Sequence, residues 1–163
     1  MKKISIAIIL LMPLFSIEFY AQRKAQEQTA PRTMKSDEFN KYQEKLVVDS
    51  TDAERKRHLG KRLIIPDSPP MKKISQYLKK NLYSIGPSDQ AIGFLTSPAM
   101  SKNLRPHLKS KAASWRVTGT LVEIFSADIS FSVYATKIEG LDANGAVIWT
   151  ATGTPPPSLE FKE

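Results

Sequence analysis

The sequence predicts a mixed α/β (α+β) domain: one sheet of about five strands with helices packed on it, closed by an antiparallel three-strand meander. Three observations carry this. Ser114 to Thr154 reads SWRVTGTLVEIFSADISFSVYATKIEGLDANGAVIWTATGT, three stretches of period-two alternation with a hairpin signal before the last. Upstream, short apolar runs alternate with segments of helical periodicity, the order expected of strands joined by crossovers. The 163 residues, 41% hydrophobic and 25% charged, suit one globular domain.

The expected domain starts well inside the chain. Met1-Lys2-Lys3 is a short positive start, and Ile4 to Ile17 is an almost unbroken apolar run. With the small residue Ala21 following, residues 1–22 have the layout of a secretory signal peptide, cleaved after Ala21 or Gln22. The run is shorter than the roughly 20 apolar residues a spanning helix needs. The chain has no cysteine. It therefore offers no disulfide, no thiolate ligand or nucleophile, and no lipid-bearing Cys at the cleavage site. The expected address is periplasmic or secreted, as a soluble protein and not a lipoprotein.

Residues 23–36 are polar and read as a flexible leader. From there residues 37–157 are expected to form a single domain, with N-terminal helices over 37–60, a core over 61–154, and residues 158–163 as a tail. Phe39, Tyr42 and Leu46 recur at helical spacing after a Ser36 cap. Thr51-Asp52-Ala53-Glu54 has capping-box spacing and opens a second helix that Gly60 stops. Lys61 to Pro66 reads as a short strand ended by its proline. Met71, Ile74, Leu78 and Leu82 share one face of a helix, with Lys72, Lys73, Lys79 and Lys80 opposite, and Pro69-Pro70 suits its start. "LYSIG", Leu82 to Gly86, is the next strand. Ser88-Asp89 would cap a helix through Leu95, Ser97-Pro98 restart it, and Pro106 interrupt it.

In the meander Trp115, Val117, Leu121 and Phe125 line one face of the first strand, with Gly119 among them. Ile129, Phe131, Val133 and Ala135 face the core in the second, opposite a wet side of Ser130, Ser132, Tyr134 and Thr136. Asp142-Ala143-Asn144-Gly145 is the hairpin turn, because Asn-Gly takes positive φ readily. Val147, Trp149 and Ala151 continue the apolar face, and Pro155 to Pro157 end the ladder and could cover its edge.

The residues offer little for catalysis. His58 and His107 both sit among cations, which lower imidazole basicity and repel a metal, and neither has the spacing of a zinc ligand set. Asp49 with Asp52, and Glu123 with Asp128, read as turn formers and not as a glycosidase pair. The Asp142 turn lacks the remaining ligands of a calcium loop. No catalytic residue, metal ligand or cofactor is expected. Charge is uneven: residues 63–116 carry nine basic and two acidic side chains, residues 117–163 two and six. One candidate binding feature is a basic face of Lys72, Lys73, Lys79 and Lys80, extended by Lys102, Arg105, Lys109 and Lys111, opposed by the reading that it is a solvated surface. The other is the exposed edge or Thr-rich face of the sheet, which could accept a partner strand.

Lys111 to Glu123 (KAASWRVTGTLVE) and Gly140 to Thr154 (GLDANGAVIWTATGT) resemble segments of a family of envelope domains. It includes the curli-secretion channel protein, the lipoprotein activators of penicillin-binding proteins and the N-terminal domain of the periplasmic protein TolB. The resemblance covers roughly residues 61–154; the family's lipid-bearing Cys is missing and "RLIIPD" departs from its usual first strand. It implies noncatalytic work in assembling or regulating envelope machinery and transfers no functional residue. The expectation is an exported, non-enzymatic binding protein, an accessory or assembly factor of the Gram-negative envelope with a protein partner there. Its rivals are a small secreted hydrolase and a charge-driven binder of an anionic lipid, lipopolysaccharide or, less expectedly, nucleic acid.

Overall fold

The computed structural model describes residues 30–77, 82–86, 93–125 and 129–162. Among these, nine strands form one open mixed sheet, more than the five or so expected. They are β1 (Arg32–Thr33), β2 (Arg62–Ser68), β3 (Lys73–Tyr77), β4 (Leu82–Gly86), β5 (Phe94–Thr96), β6 (Ser114–Phe125), β7 (Ile129–Leu141), β8 (Val147–Thr152) and β9 (Glu160–Lys162). Three α-helices accompany them, α1 (Ser36–Val48), α2 (Asp52–His58) and α3 (Pro98–Leu104), with a 3-10 turn over Arg105–Lys109. The strand order is β1-β2-β6-β7-β5-β4-β3, with β8 also beside β7 and β9 also beside β6. Pro31–Glu163 form one unit. The signal peptide and the leader up to residue 29 lie outside the described residues.

The capping box predicted for the second helix forms, but the Ser36 cap predicted for the first does not. Lys35, not Ser36, is the N-cap of α1, and its N–H donates to the Glu38 carboxylate at 3.1 Å. Ser36 is left to donate from its N–H and hydroxyl to Asp67 at 2.9 and 3.1 Å, so the end of β2 ties down the start of α1. In α2 the Thr51 N–H donates to Glu54 at 2.8 Å and Thr51 Oγ1 accepts from the Glu54 N–H at 3.4 Å, the reciprocal pair that the spacing predicts. Gly60 follows with φ +80°, where only glycine avoids strain. The leader ends earlier than expected: Arg32 and Thr33 pair parallel with Leu63 and Ile64, and Met34 is buried.

Three expectations fail for identifiable reasons. Residues 73–77 are not helical but form a hairpin with β4, Ile74 opposite Ile85 and Tyr77 opposite Leu82. Ile74 joins the main core while Tyr77 and Leu82 join a second cluster on the other side of the sheet. This end strand of the sheet buries only Ile74 fully, so it shows no clean alternation, and its apolar spacing coincides with a helical one. Phe94 and Leu95 belong to a three-residue strand parallel to β7, not to the end of a helix, and the Ser88-Asp89 cap lies outside the described residues. Pro66 does not end β2; it sits where the pairing with β6 is irregular, between Ile65 and Ser68, so no ladder bond requires its missing N–H.

The meander stands as predicted, with its turn: the Asp142 carboxylate accepts from the Asn144 and Ala146 N–H groups at 2.8 and 2.9 Å, and Gly145 has φ +81°. Both oxygen contacts are backbone, so this aspartate is committed to the turn. The register of β6 and β7 slips at Thr118/Gly119, leaving Thr136 as the extra residue. That bulge returns Ile138, an even position, to the core face already lined by Phe131, Val133 and Ala135. The Ser/Thr side is not uniformly wet. Ser132 and Tyr134 are buried, because Leu82, Leu95, Val122, Ile124 and Phe161 cluster over that face. Phe161 comes from β9, formed by residues expected to be a tail, and its ring stacks parallel to Tyr134 at 6.2 Å.

Candidate protein-docking edge

The predicted basic residues separate into two groups. Lys72 and Lys73 are exposed at the start of β3, where extended backbone removes the helical spacing that set them beside Lys79 and Lys80. Those last two lie outside the described residues. Lys102 is exposed on α3, Arg105 and Lys109 on the 3-10 turn, and Lys111 just after it. The Ser97 hydroxyl caps α3, accepting from the Met100 N–H at 3.2 Å, with Pro98 in the first turn; Pro106 then tightens the continuation to 3-10 geometry. His107 stacks on Trp149 at 4.4 Å and 9°, and the Trp149 indole donates to Ser110 Oγ at 3.1 Å. Gly140 lies against the same indole, so close that a Cβ there would fall 2.1 Å from it. Trp149 is thus wedged between strand and turn; it anchors this segment.

Glu123, read from the sequence as a turn former, instead lies within β6 and has another carboxylate beside it. Glu123 lies opposite Glu160 in the parallel β6–β9 register, while Asp128 is outside the described residues. Glu123 is only 3% exposed, its Oε1 3.6 Å from Arg55 Nε. Burial pushes its pKa up, Glu160 adds to the rise, and Arg55 opposes it. A carboxylate so enclosed is out of a substrate's reach; with Arg55, which also pairs with Asp52, it fastens α2 to β6. Because the folded pKa is raised, the group favours folding most below its ordinary value of about 4.5 and less as pH rises through the folded one. Glu123→Gln, which keeps the neutral shape, should therefore gain melting temperature relative to wild type as pH goes from 4.5 to 7. Parallel melts at the two pH values check this; a constant difference would refute it.

The feature suited to recognition is β8. Among the described residues it pairs as a strand only with β7. Trp149 and Ala151 turn inward while Val147, Ile148, Thr150 and Thr152 are exposed, the two aliphatic residues at 47% and 48%. Val147 was expected inside with Trp149 and Ala151; the irregularity between Gly140 and Leu141 shifts its register by one and turns it out. Pro155 to Pro157 follow without further pairing to β8. Exposed edges ordinarily carry charge or proline that discourages a further strand, and β8 carries neither. The signal in the sequence was the pair Val147-Ile148: strict alternation would bury only one of them. No family model, curated protein or solved structure matches this chain.

Proposed function

We propose that this chain is an exported, non-enzymatic binding domain, an accessory or assembly factor of a Gram-negative envelope, which takes an extended segment of a protein partner onto β8. The observation that carries the reading is that β8, uncharged and paired as a strand only with β7 among the described residues, exposes Val147 and Ile148. An added strand would gain main-chain hydrogen bonds along β8 and apolar cover from the two side chains. Export rests on the signal-peptide layout of residues 1–22, and envelope work on the resemblance of residues 61–154.

The test is a photo-crosslinking residue at Thr150 in cells, with and without Ile148→Lys. A lysine at an edge opposes strand addition, and an exposed site tolerates the change within about 0.5 kcal/mol of stability. The expected result is one dominant protein adduct that Ile148→Lys reduces at least about tenfold, the equivalent of roughly 1.4 kcal/mol of lost affinity. An adduct indifferent to Ile148→Lys would refute docking at β8.

A further inference from the structure

The first part of the domain brings together four residues from separate elements: Arg32 of β1, Tyr42 of α1, His58 at the end of α2 and Lys61 just before β2. Tyr42 Oη lies 2.6 Å from His58 Nδ1, and Lys61 Nζ lies 3.1 Å from the same nitrogen. The two rings meet edge to face at 5.6 Å, and the Arg32 guanidinium sits 5.7 Å from the Tyr42 ring centre. Burial pushes the Tyr42 pKa up, so the phenol keeps its proton and donates it. Nδ1 then accepts, and the imidazole carries its proton on Nε2. Burial, then Lys61 and Arg32, hold the His58 pKa below its usual value, with Glu54 weakly opposing, so the ring is neutral near pH 7.

The cluster is rich in donors and short of acceptors. Nδ1 has one in-plane lone pair, and two donors converge on it. Among the described residues no carboxylate forms an ion pair with Arg32 or Lys61. Glu54, the acid felt by His58, already accepts from the Thr51 N–H and hydroxyl, both at 2.8 Å. A guanidinium and an ammonium, both exposed, thus border the half-buried His58 imidazole N–H, with no carboxylate among the described residues paired to either cation. Their complement is a compact oxyanion, for which Arg supplies a planar fork and Lys a point charge.

We propose that Arg32, His58 and Lys61 bind a phosphate group, with Tyr42 as the positioning residue that holds the His58 ring with its Nε2–H free to donate. The site uses no residue of β8 and stands independently of the docking reading. The phosphate could be inorganic phosphate or the headgroup of an anionic phospholipid, and the chemistry recognised is the same.

The test is titration of the purified chain with inorganic phosphate at constant ionic strength, followed through the His58 ring resonances, alongside co-sedimentation with phosphatidylglycerol and phosphatidylcholine vesicles. The expected result is a saturable shift of His58 but not His107, weakened roughly tenfold by Lys61→Gln or Arg32→Gln, each removing one charged hydrogen bond. Arg105→Gln, on the separate basic segment, should leave it unchanged. The Tyr42→Phe variant should alter the nitrogen shifts that report the His58 tautomer, which a merely packing role for the hydroxyl would not do. Phosphate binding without vesicle binding identifies the free ion. Vesicle binding that prefers phosphatidylglycerol and falls with Lys61→Gln identifies the headgroup. Absence of both, or equal weakening by Arg105→Gln, overturns the site.

Discussion

Gly119→Val is expected to destabilise the domain by about 4 kcal/mol or more, and to lower its melting temperature by roughly 15 °C. A Cβ at Gly119 would stand 2.3 Å from the Tyr134 carbonyl oxygen and 2.5 Å from Val133 Cγ1. The first of these is backbone, so relief requires β6 and β7 to separate at the centre of their long antiparallel pairing. Valine's preference for strands is worth about 1 kcal/mol in the opposite direction and does not compete. Gly145→Ala is the companion measurement. Nothing lies within 4 Å of a Cβ there, but φ is +81°, so its cost is left-handed strain alone, about 1–2 kcal/mol. Urea unfolding of both variants checks the ordering. Comparable losses would mean that the β6–β7 contact at Gly119 is much looser than described.

Trp115→Ala is expected to cost about 3–5 kcal/mol, the range for emptying a large buried aromatic site. The side chain is fully buried and meets Trp149 edge to face at 5.2 Å. Through Trp149, which stacks on His107, it also supports the turn beyond α3. One detail separates packing from polarity. Trp115 Nε1 is buried without a hydrogen-bond partner among the described residues, and an unsatisfied buried donor costs about 1–3 kcal/mol. Trp115→Phe loses ring volume but discards that donor, so it should destabilise much less than Trp115→Ala. If phenylalanine proved as damaging as alanine, the orphaned indole would have no energetic weight.

What was legible in the sequence were elements whose signal is local. The meander was readable because Phe131, Val133 and Ala135 alternate strictly, and α2 because Thr51 and Glu54 stand three apart. Residues 71–82 misled because Met71, Ile74, Leu78 and Leu82 satisfy a helix on paper, whereas the described strand there feeds one core cluster with Ile74 and the other with Tyr77. β9 was invisible: three residues with one aromatic acquire a structure only from β6 beside them and Tyr134 beneath. The low basicity of His58 was anticipated from its charged neighbours, though burial proves the larger cause. Its cluster was not anticipated, since Arg32 and Lys61 lie 29 positions apart in sequence and meet only because β1 runs alongside β2.

The place of β2 in the sheet sets the order in which the chain can fold. Its pairing with β6 joins Arg62 to Thr120, 58 positions apart, whereas β3–β4, β6–β7 and β7–β8 close as hairpins between neighbours in sequence. Loops that long are closed late, after local pairings have formed a surface to receive them. The meander is thus the expected nucleus, and β2 with β1, α1 and α2 is expected to join after it. Such late-joining units are also the first to open in the native state. Amide exchange in α1 and α2 should accordingly be faster than in β6 and β7, and an anion bridging Arg32, His58 and Lys61 would slow it by stitching that final piece in place.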